Sequence, residues 1–108
     1  MAKLTVTDEQ LEELKAKFGR VTRVSSPAGD LVFRAPTAPE ESAFQAARFG
    51  SVGHPGMAWR NLMVTLIVSP SQPEFVNVLS QWPALNINSR ITDALRVLRG
   101  EVNDDEVK

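Results

Sequence analysis

The chain has 108 residues and a formal net charge of -1, and 43% of its residues are hydrophobic and 23% charged. These values are typical of one compact folded domain rather than a disordered segment. The slightly acidic balance counts against a nucleic-acid partner, which requires a basic surface. The absence of cysteine excludes disulfides and thiolate metal sites.

The first predicted element is a helix from Asp8 to Phe18. Thr7 and Gln10 have the spacing of a capping box at its start, and Gly19 is the expected C-terminal glycine. Its apolar stripe consists of Leu11, Leu14 and Phe18. This stripe either covers the hairpin or docks a partner or a second copy, and the sequence leaves the two alternatives open.

A β-hairpin is predicted next. The segment RVTRVSS alternates in polarity, PAGD has the chemistry of a turn, and LVFRA is typical of a returning strand. Val21 and Val24 are the expected apolar anchors of the first strand. Because a two-stranded hairpin is only marginally stable alone, we expect helices to pack against it.

The end of the second strand predicts a structural corner. Since strand residues alternate in direction, Arg34 projects from the face opposite Phe33. We expect Arg34 to bind Glu40 or Glu41 and so to join the strand to the next helix. Thr37 and Glu40 have the spacing of a second capping box, which starts helix two.

The middle of the chain predicts two apolar helices. The expected apolar side of helix two consists of Ala43, Phe44, Ala47 and Phe49. Residues 57–68 are apolar nearly all round towards their end, which predicts a buried helix. Their β-branched residues leave a buried strand open as the alternative.

Two further helices are predicted after proline breaks. Pro73 begins the first, whose apolar side consists of Phe75, Val78, Leu79 and Trp82. The last helix continues to about Arg99 and stops at Gly100. Its expected apolar face consists of Ile87, Ile91, Ala94, Leu95 and Leu98.

The order of elements predicts an α+β fold that is mainly helical. It comprises an N-terminal helix, one β-hairpin and three to four further helices in a single globular domain over residues 1–100. Residues 101–108 form an acidic tail that we expect to be frayed.

The chemically active residues predict no catalytic, cofactor-binding or metal-binding site. His54 is the single histidine, and its place between Gly53 and Pro55 favours a role in turn geometry over proton transfer. The acidic tail lacks the glycine turn and the ligand spacing of a calcium loop. We therefore expect a protein that is not an enzyme and uses no cofactor.

Arginines and tryptophans supply the remaining candidates for function. Arg90, Arg96 and Arg99 lie on the last helix, where a polar outer face is favoured over contacts with phosphate. Trp59 and Trp82 fit apolar helix faces, which favours core packing over a role as partner anchors.

The layout resembles a known class of proteins. The first helix ends in KFGRV, the hairpin leads into FRAPTAPEESAFQ, and NLMVTLIVSP precedes a pair of helices separated by proline. This order, over residues 4–100, resembles the small tail assembly chaperone-like proteins of tailed bacteriophages and prophages, and FRAPTAPEE is its most specific part. The resemblance implies a non-enzymatic protein that binds the tape measure protein during virion assembly. The alternative is a small phage-encoded regulatory or nucleic-acid-binding module, supported only by the arginines of the last helix.

A chaperone role requires an apolar surface for the client, and two surfaces are candidates. One is the stripe on the first helix, and the other consists of Phe75, Leu79 and Trp82. We favour the second because a tryptophan beside the break at Pro83 is a good anchor. An exposed apolar stripe also favours a homo-oligomer.

The expected location is the cytoplasm of the bacterial host cell. The start of the chain lacks an apolar segment after its lysine, which counts against a signal peptide. The longest apolar run, NLMVTLIV, is too short to span a bilayer, so we expect no membrane partner.

Overall fold

A computed structural model describes residues 4–49 and 55–101. Its elements in chain order are α1 (Asp8–Phe18), β1 (Val21–Ser26), β2 (Gly29–Arg34), α2 (Ala38–Phe49), α3 (Pro55–Leu66), β3 (Ile67–Ser69), α4 (Gln72–Gln81), a 3₁₀ helix (Pro83–Ile87) and α5 (Ser89–Leu98). This is the predicted architecture: a mainly helical α+β fold with an N-terminal helix, a hairpin and then further helices. His54 and residues 102–108, the larger part of the predicted tail, lie outside the described residues.

The sheet has three antiparallel strands in the order β1-β2-β3. The hairpin turn is shorter than predicted, because Gly29 and Asp30 already pair within β2 and only Pro27 and Ala28 remain outside the strands. Leu4 lies beside the start of β2: its N–H donates to the carbonyl of Ala28 at 3.2 Å, and its carbonyl accepts from the N–H of Asp30 at 2.9 Å. The central strand β2 is therefore paired along both of its edges.

The segment 57–68 contains both of the elements that the sequence left open, first a helix and then the start of a strand. The helix ends at Leu66, and Ile67 and Val68 continue directly as β3. Ser69 of this strand pairs with Val32, in the middle of β2. The β-branched residues at the end of the segment therefore complete the sheet, whereas the earlier part is helical.

Both faces of the sheet are covered by helices. Val24, Leu31 and Phe33 face the main core, which is filled by residues of α2 to α5, and the ring of Phe33 meets that of Phe75 edge-on with centroids 5.9 Å apart. The opposite face forms a smaller core around Val32. Half-buried side chains of α1 complete this smaller core, so α1 and the other helices hold the hairpin between them.

The predicted caps of the first helices are correct, whereas several residues of the predicted apolar faces are exposed. Thr7 and Gln10 form the predicted capping box of α1, and Ser71 caps α4. On α2 only Phe44 is buried, and the other three residues of its expected apolar side are exposed: Ala43, Ala47 and Phe49. No helix in the described ranges is long and apolar enough to cross a membrane.

The last helix begins later than its apolar pattern indicates. Asn88 accepts a hydrogen bond from the N–H of Ile91 and is the N-cap of α5. Ile87 therefore belongs to the preceding 3₁₀ helix, where its side chain is exposed, and its prediction as a core residue of the last helix is wrong. The capping side chain, rather than the hydrophobic periodicity, determines where this helix starts.

Candidate interaction surfaces

Arg34 forms the predicted corner between strand and helix. Its guanidinium donates to both carboxylate oxygens of Glu40, from Nη1 to Oε1 at 2.8 Å and from Nη2 to Oε2 at 2.7 Å. It also donates to the carbonyls of Ala35 and Thr65, at 3.2 and 3.3 Å. Of the two partners left open by the sequence, Glu40 is the one used. Arg34 thus joins β2, α2 and α3, and the geometry gives it a structural role.

The corner favours the charged forms of both side chains. The hydrogen bond from Arg34 is the largest of the effects that lower the pKa of Glu40 from its ordinary 4.5 to about 2. The backbone N–H of Thr37 contributes in the same direction, and desolvation opposes both. The hydrogen bond to Glu40 also raises the pKa of Arg34. The pair is therefore fully ionised at neutral pH.

A second ion pair joins the end of α5 to α2. Arg99 donates from Nε and Nη2 to the two carboxylate oxygens of Glu41, both at 2.6 Å, and from Nη1 to Glu101. The side chain of Arg99 is only 7% exposed, so its predicted place on a polar outer face is wrong. The sequence carries a signal for this, because Arg99 follows Ile91 and Leu95 at steps of four residues and shares their side of the helix. The bond to Arg99 lowers the pKa of Glu41.

Two arginines and two aromatic rings form a stacked cluster around this pair. The rings of Phe44 and Trp59 meet at 64° with centroids 4.8 Å apart. The guanidinium carbon of Arg99 lies 4.6 Å from the centroid of Phe44, and that of Arg48 lies 5.2 Å from the centroid of Trp59. Such distances allow cation–π attraction, so the cluster fixes α2 against α3 and α5. Trp59 is half-buried and packs against the core, as the sequence favoured.

The predicted stripe on α1 faces the sheet. Leu11 and Leu14 are half-buried and pack against the smaller core around Val32. Phe18 is exposed, and the ammonium of Lys17 lies 5.4 Å from its ring centroid. Two of the three stripe residues thus cover the hairpin, which was one of the two alternatives, and Phe18 alone is open to a partner.

The second predicted surface divides into a core part and an exposed part. Phe75 and Leu79 are buried within the main core and cannot contact a partner without unfolding, so their prediction as partner-binding residues is wrong. Trp82 is 44% exposed, so its prediction as a core residue is also wrong. The i, i+4 spacing of Phe75 and Leu79 predicts a shared face but not whether that face is inside.

Several other large apolar side chains are exposed. The sequence placed some of them in the core and did not single out the others. Ile87 is 72% exposed and Phe49 70% exposed. Met57 and Val76 are exposed to a lesser degree. Trp82 directly precedes the 3₁₀ helix and Ile87 is its last residue, and we call these two exposed residues the Trp82–Ile87 surface. Trp82 directly follows α4, which Phe75 and Leu79 anchor in the main core.

The described residues provide no assembled site for a metal ion. Over residues 4–49 and 55–101, no three acidic or histidine side chains come together in a way that could hold one. The acidic groups with lowered pKa values, Glu40 and Glu41, are both engaged by arginines. The strongest electrostatic features of the described chain are thus contacts between its own elements.

No protein-family model and no curated protein matches this sequence. Among solved structures, the chain is similar to an uncharacterised protein of Bacillus stearothermophilus, with 26% sequence identity and a TM-score of 0.61. The match covers 87% of this chain and 92% of the other. The two proteins therefore share the same overall arrangement over nearly their whole lengths, and the relative's description states no activity.

Proposed function

We propose that the protein is a tail assembly chaperone-like protein of a phage or prophage, which binds the tape measure protein in the cytoplasm of the host without enzymatic activity or cofactor. The proposal starts from the resemblance in the order of the elements and in FRAPTAPEE. The single structural observation that supports it is the exposure of two large apolar side chains, Trp82 and Ile87, at the two ends of the 3₁₀ helix.

This surface suits the recognition of an apolar client segment. Tryptophan is over-represented among the residues that dominate binding energy, since it buries a large area with few rotatable bonds. Trp82 ends α4, whose Phe75 and Leu79 are locked in the core, so it is presented from a rigid support. An exposed aliphatic partner such as Ile87 enlarges the contact without introducing a charge that must be desolvated. The same surface favours self-association when the client is absent.

The alternative of a nucleic-acid-binding module receives less support. Its basis is the row of arginines on the last helix. Arg99 is buried against Glu41 and Arg96 lies 3.9 Å from Asp93, which leaves Arg90 as the exposed arginine of the row. Arginines already neutralised by neighbouring carboxylates contribute little to the attraction of phosphate. We therefore place the protein-binding role first.

Co-expression with the tape measure protein tests the proposal. Wild-type protein should increase the soluble fraction of the tape measure protein, and Trp82→Ala or Ile87→Ala should reduce that fraction. Phe49→Ala is the matched control, because it also removes a large exposed apolar side chain, on α2, that belongs to neither candidate client surface. All variants must keep the wild-type circular dichroism spectrum. Failure of the folded wild-type protein to bind or solubilise the client would contradict the proposal.

A further inference from the structure

The two outer edges of the sheet differ in length. β3 forms one edge with three residues and is followed directly by Pro70, which has no N–H to donate. β1 forms the other edge with six residues, and no strand in the described ranges pairs with its outer side. An unpaired strand of this length offers a row of main-chain donors and acceptors to another extended segment.

The hydrogen bonds of the hairpin identify which residues present those groups. The N–H of Ala35 donates to the carbonyl of Arg20 at 3.0 Å, and this pair continues the register of the β1–β2 ladder. In an antiparallel ladder, successive residues direct their main-chain groups alternately towards and away from the partner strand. Val21, Arg23 and Ser25 therefore direct their N–H and C=O groups to the free edge. Arg23 and Ser25 are exposed, whereas Val21 is nearly buried.

A groove of about 310 Å³ follows the first half of this edge. It lies between α1, which contributes Lys15, and α5, which contributes Val97 and Leu98. Residues 19–22, which lead into β1, form its base, and no residue of β2 lines it. Because α1 and α5 lie on opposite faces of the sheet, a groove that touches both, includes Val21 and Thr22 and has no lining residue from β2 lies beside the start of β1. It is wide enough for a branched apolar side chain.

The charges of the groove indicate the kind of segment that fits. Its lining includes the two cations Lys15 and Arg20 and no carboxylate. Glu12, which is outside the lining, lies 3.5 Å from Lys15 in an exposed pair, so Arg20 carries most of the positive charge of the groove. Arg20 donates from Nη2 to the carbonyl of Val97 at 3.0 Å, and this bond holds the guanidinium at the groove. Because the acceptor is a neutral carbonyl, the bond does not neutralise the positive charge of Arg20. An acidic segment complements this charge. A second copy paired through the same edge is the alternative occupant, and the experiment below separates the two.

We propose that β1 accepts an extended acidic segment of a partner protein as a fourth strand. The main-chain groups of Arg23 and Ser25 supply the hydrogen bonds, a branched apolar side chain enters the groove beside Val97 and Leu98, and carboxylates lie near Lys15 and Arg20. This mode of recognition combines main-chain bonds for affinity with alternate side-chain pockets for specificity. It goes beyond the proposed chaperone role and uses a surface separate from Trp82 and Ile87.

Synthetic peptides test this inference. The probe is a fluorescein-labelled peptide of about eight alternating valine and glutamate residues, a length that matches an ordinary strand. The comparison peptides replace glutamate with lysine or methylate the main-chain nitrogens that would pair with β1. We expect the acidic peptide to bind with an affinity that falls as salt is raised, and neither comparison peptide to bind. Amide shifts in the ¹H–¹⁵N spectrum should centre on residues 20–25 and 97–98.

Variants of β1 separate strand addition from attraction by charge alone. Ser25→Pro removes an outward N–H without touching the β1–β2 ladder, and Ser25→Ala is its matched control because it keeps that N–H. We expect Ser25→Pro and Arg20→Glu each to weaken binding by about tenfold, and Ser25→Ala to bind like wild type. Arg20→Glu also decides the outcome if Ser25→Pro fails to fold.

Three outcomes would overturn the inference. The first is equal binding of the lysine peptide, and the second is a set of amide shifts centred on Trp82 rather than on β1. The third is absence of peptide binding together with a dimer that Ser25→Pro abolishes, which would make a second copy the occupant. Because the peptide assay contains no tape measure protein, its failure leaves the proposed chaperone role to its own co-expression test.

Discussion

Arg34 and the backbone at the start of α2 donate to the same carboxylate oxygen of Glu40. Oε1 of Glu40 accepts from Arg34 Nη1 at 2.8 Å and from the backbone N–H of Thr37 at 2.9 Å. One carboxylate therefore closes the capping box of α2 and anchors the end of β2 at the same time. The angle between strand and helix depends on both bonds, so the loss of either partner should affect both elements.

Removal of Arg34 should destabilise the fold. Arg34→Ala leaves the carboxylate of Glu40 with its capping bond but without its cation, in a position where the side chain is only 24% exposed. We expect the free energy of unfolding to fall by about 2 kcal/mol. Arg34→Lys should recover only part of this, because an ammonium cannot make the two parallel bonds. Urea unfolding measures the difference, and a variant as stable as wild type that has lost partner binding would show Arg34 to be a recognition residue.

The same pair predicts a dependence of stability on pH. The pKa of Glu40 is lowered from 4.5 to about 2, so its ionised form is favoured in the folded state. Its stabilising contribution is fully present above about pH 4.5 and is lost as the pH falls towards 2. The gap in unfolding free energy between wild type and Glu40→Gln should therefore stay constant down to about pH 5 and then shrink. A gap that keeps its size at pH 2.5 would contradict this assignment.

Arg99 and Arg48 provide a matched comparison, since both stack on Phe44 and Trp59. Arg99 is also bound to Glu41 and is nearly buried, so Arg99→Ala leaves a carboxylate without its partner. We expect a loss of about 3 kcal/mol for Arg99→Ala and about 1 kcal/mol for Arg48→Ala. Thermal or urea unfolding of the two variants measures the order. Equal losses would mean that stacking, rather than the ion pair, holds α5 against α2.

Gly29 is predicted to tolerate no side chain. It has a φ of +115°, and a Cβ placed there would lie 2.4 Å from the backbone nitrogen and oxygen of Leu4. Gly29→Ala should therefore displace the segment at Leu4 from β2 and cost about 3 kcal/mol or more. Gly100 is the control: its φ is +79° and nothing lies within 4 Å of the added atom, so Gly100→Ala should cost about 1 kcal/mol. Similar losses in the two variants would show that conformation, not the contact with Leu4, dominates.

Local signals in the sequence predicted the helix starts and the corner. Thr7, Gln10 and Thr37 act through side chains that reach only a few residues along the chain, so their spacing is sufficient. Arg34 is also close in sequence to Glu40, and a strand followed at once by a capped helix leaves few other partners. These features depend on no distant part of the fold.

The failures concern contacts made across the fold. β3 forms because it pairs with a free edge of β2, and the sequence of residues 67–69 does not indicate that this edge is present. The spacing of Phe75 and Leu79 is the same for a core helix and a docking helix, and only the packing of Phe75 on Phe33 decides between them. Arg99 was assigned to the surface because of its charge, whereas Glu41, far away in the chain, makes its burial favourable.

The placement of β2 has a consequence for synthesis on the ribosome. The hairpin and α1 emerge early, and α1 can cover the face of β2 that carries Val32 as soon as both have left the exit tunnel. The other face, with Leu31 and Phe33, is covered by residues of α2 to α5, which are made later. During synthesis one face of β2 can therefore be covered while the other still exposes Leu31 and Phe33, and this apolar face is prone to aggregation until the C-terminal helices are made.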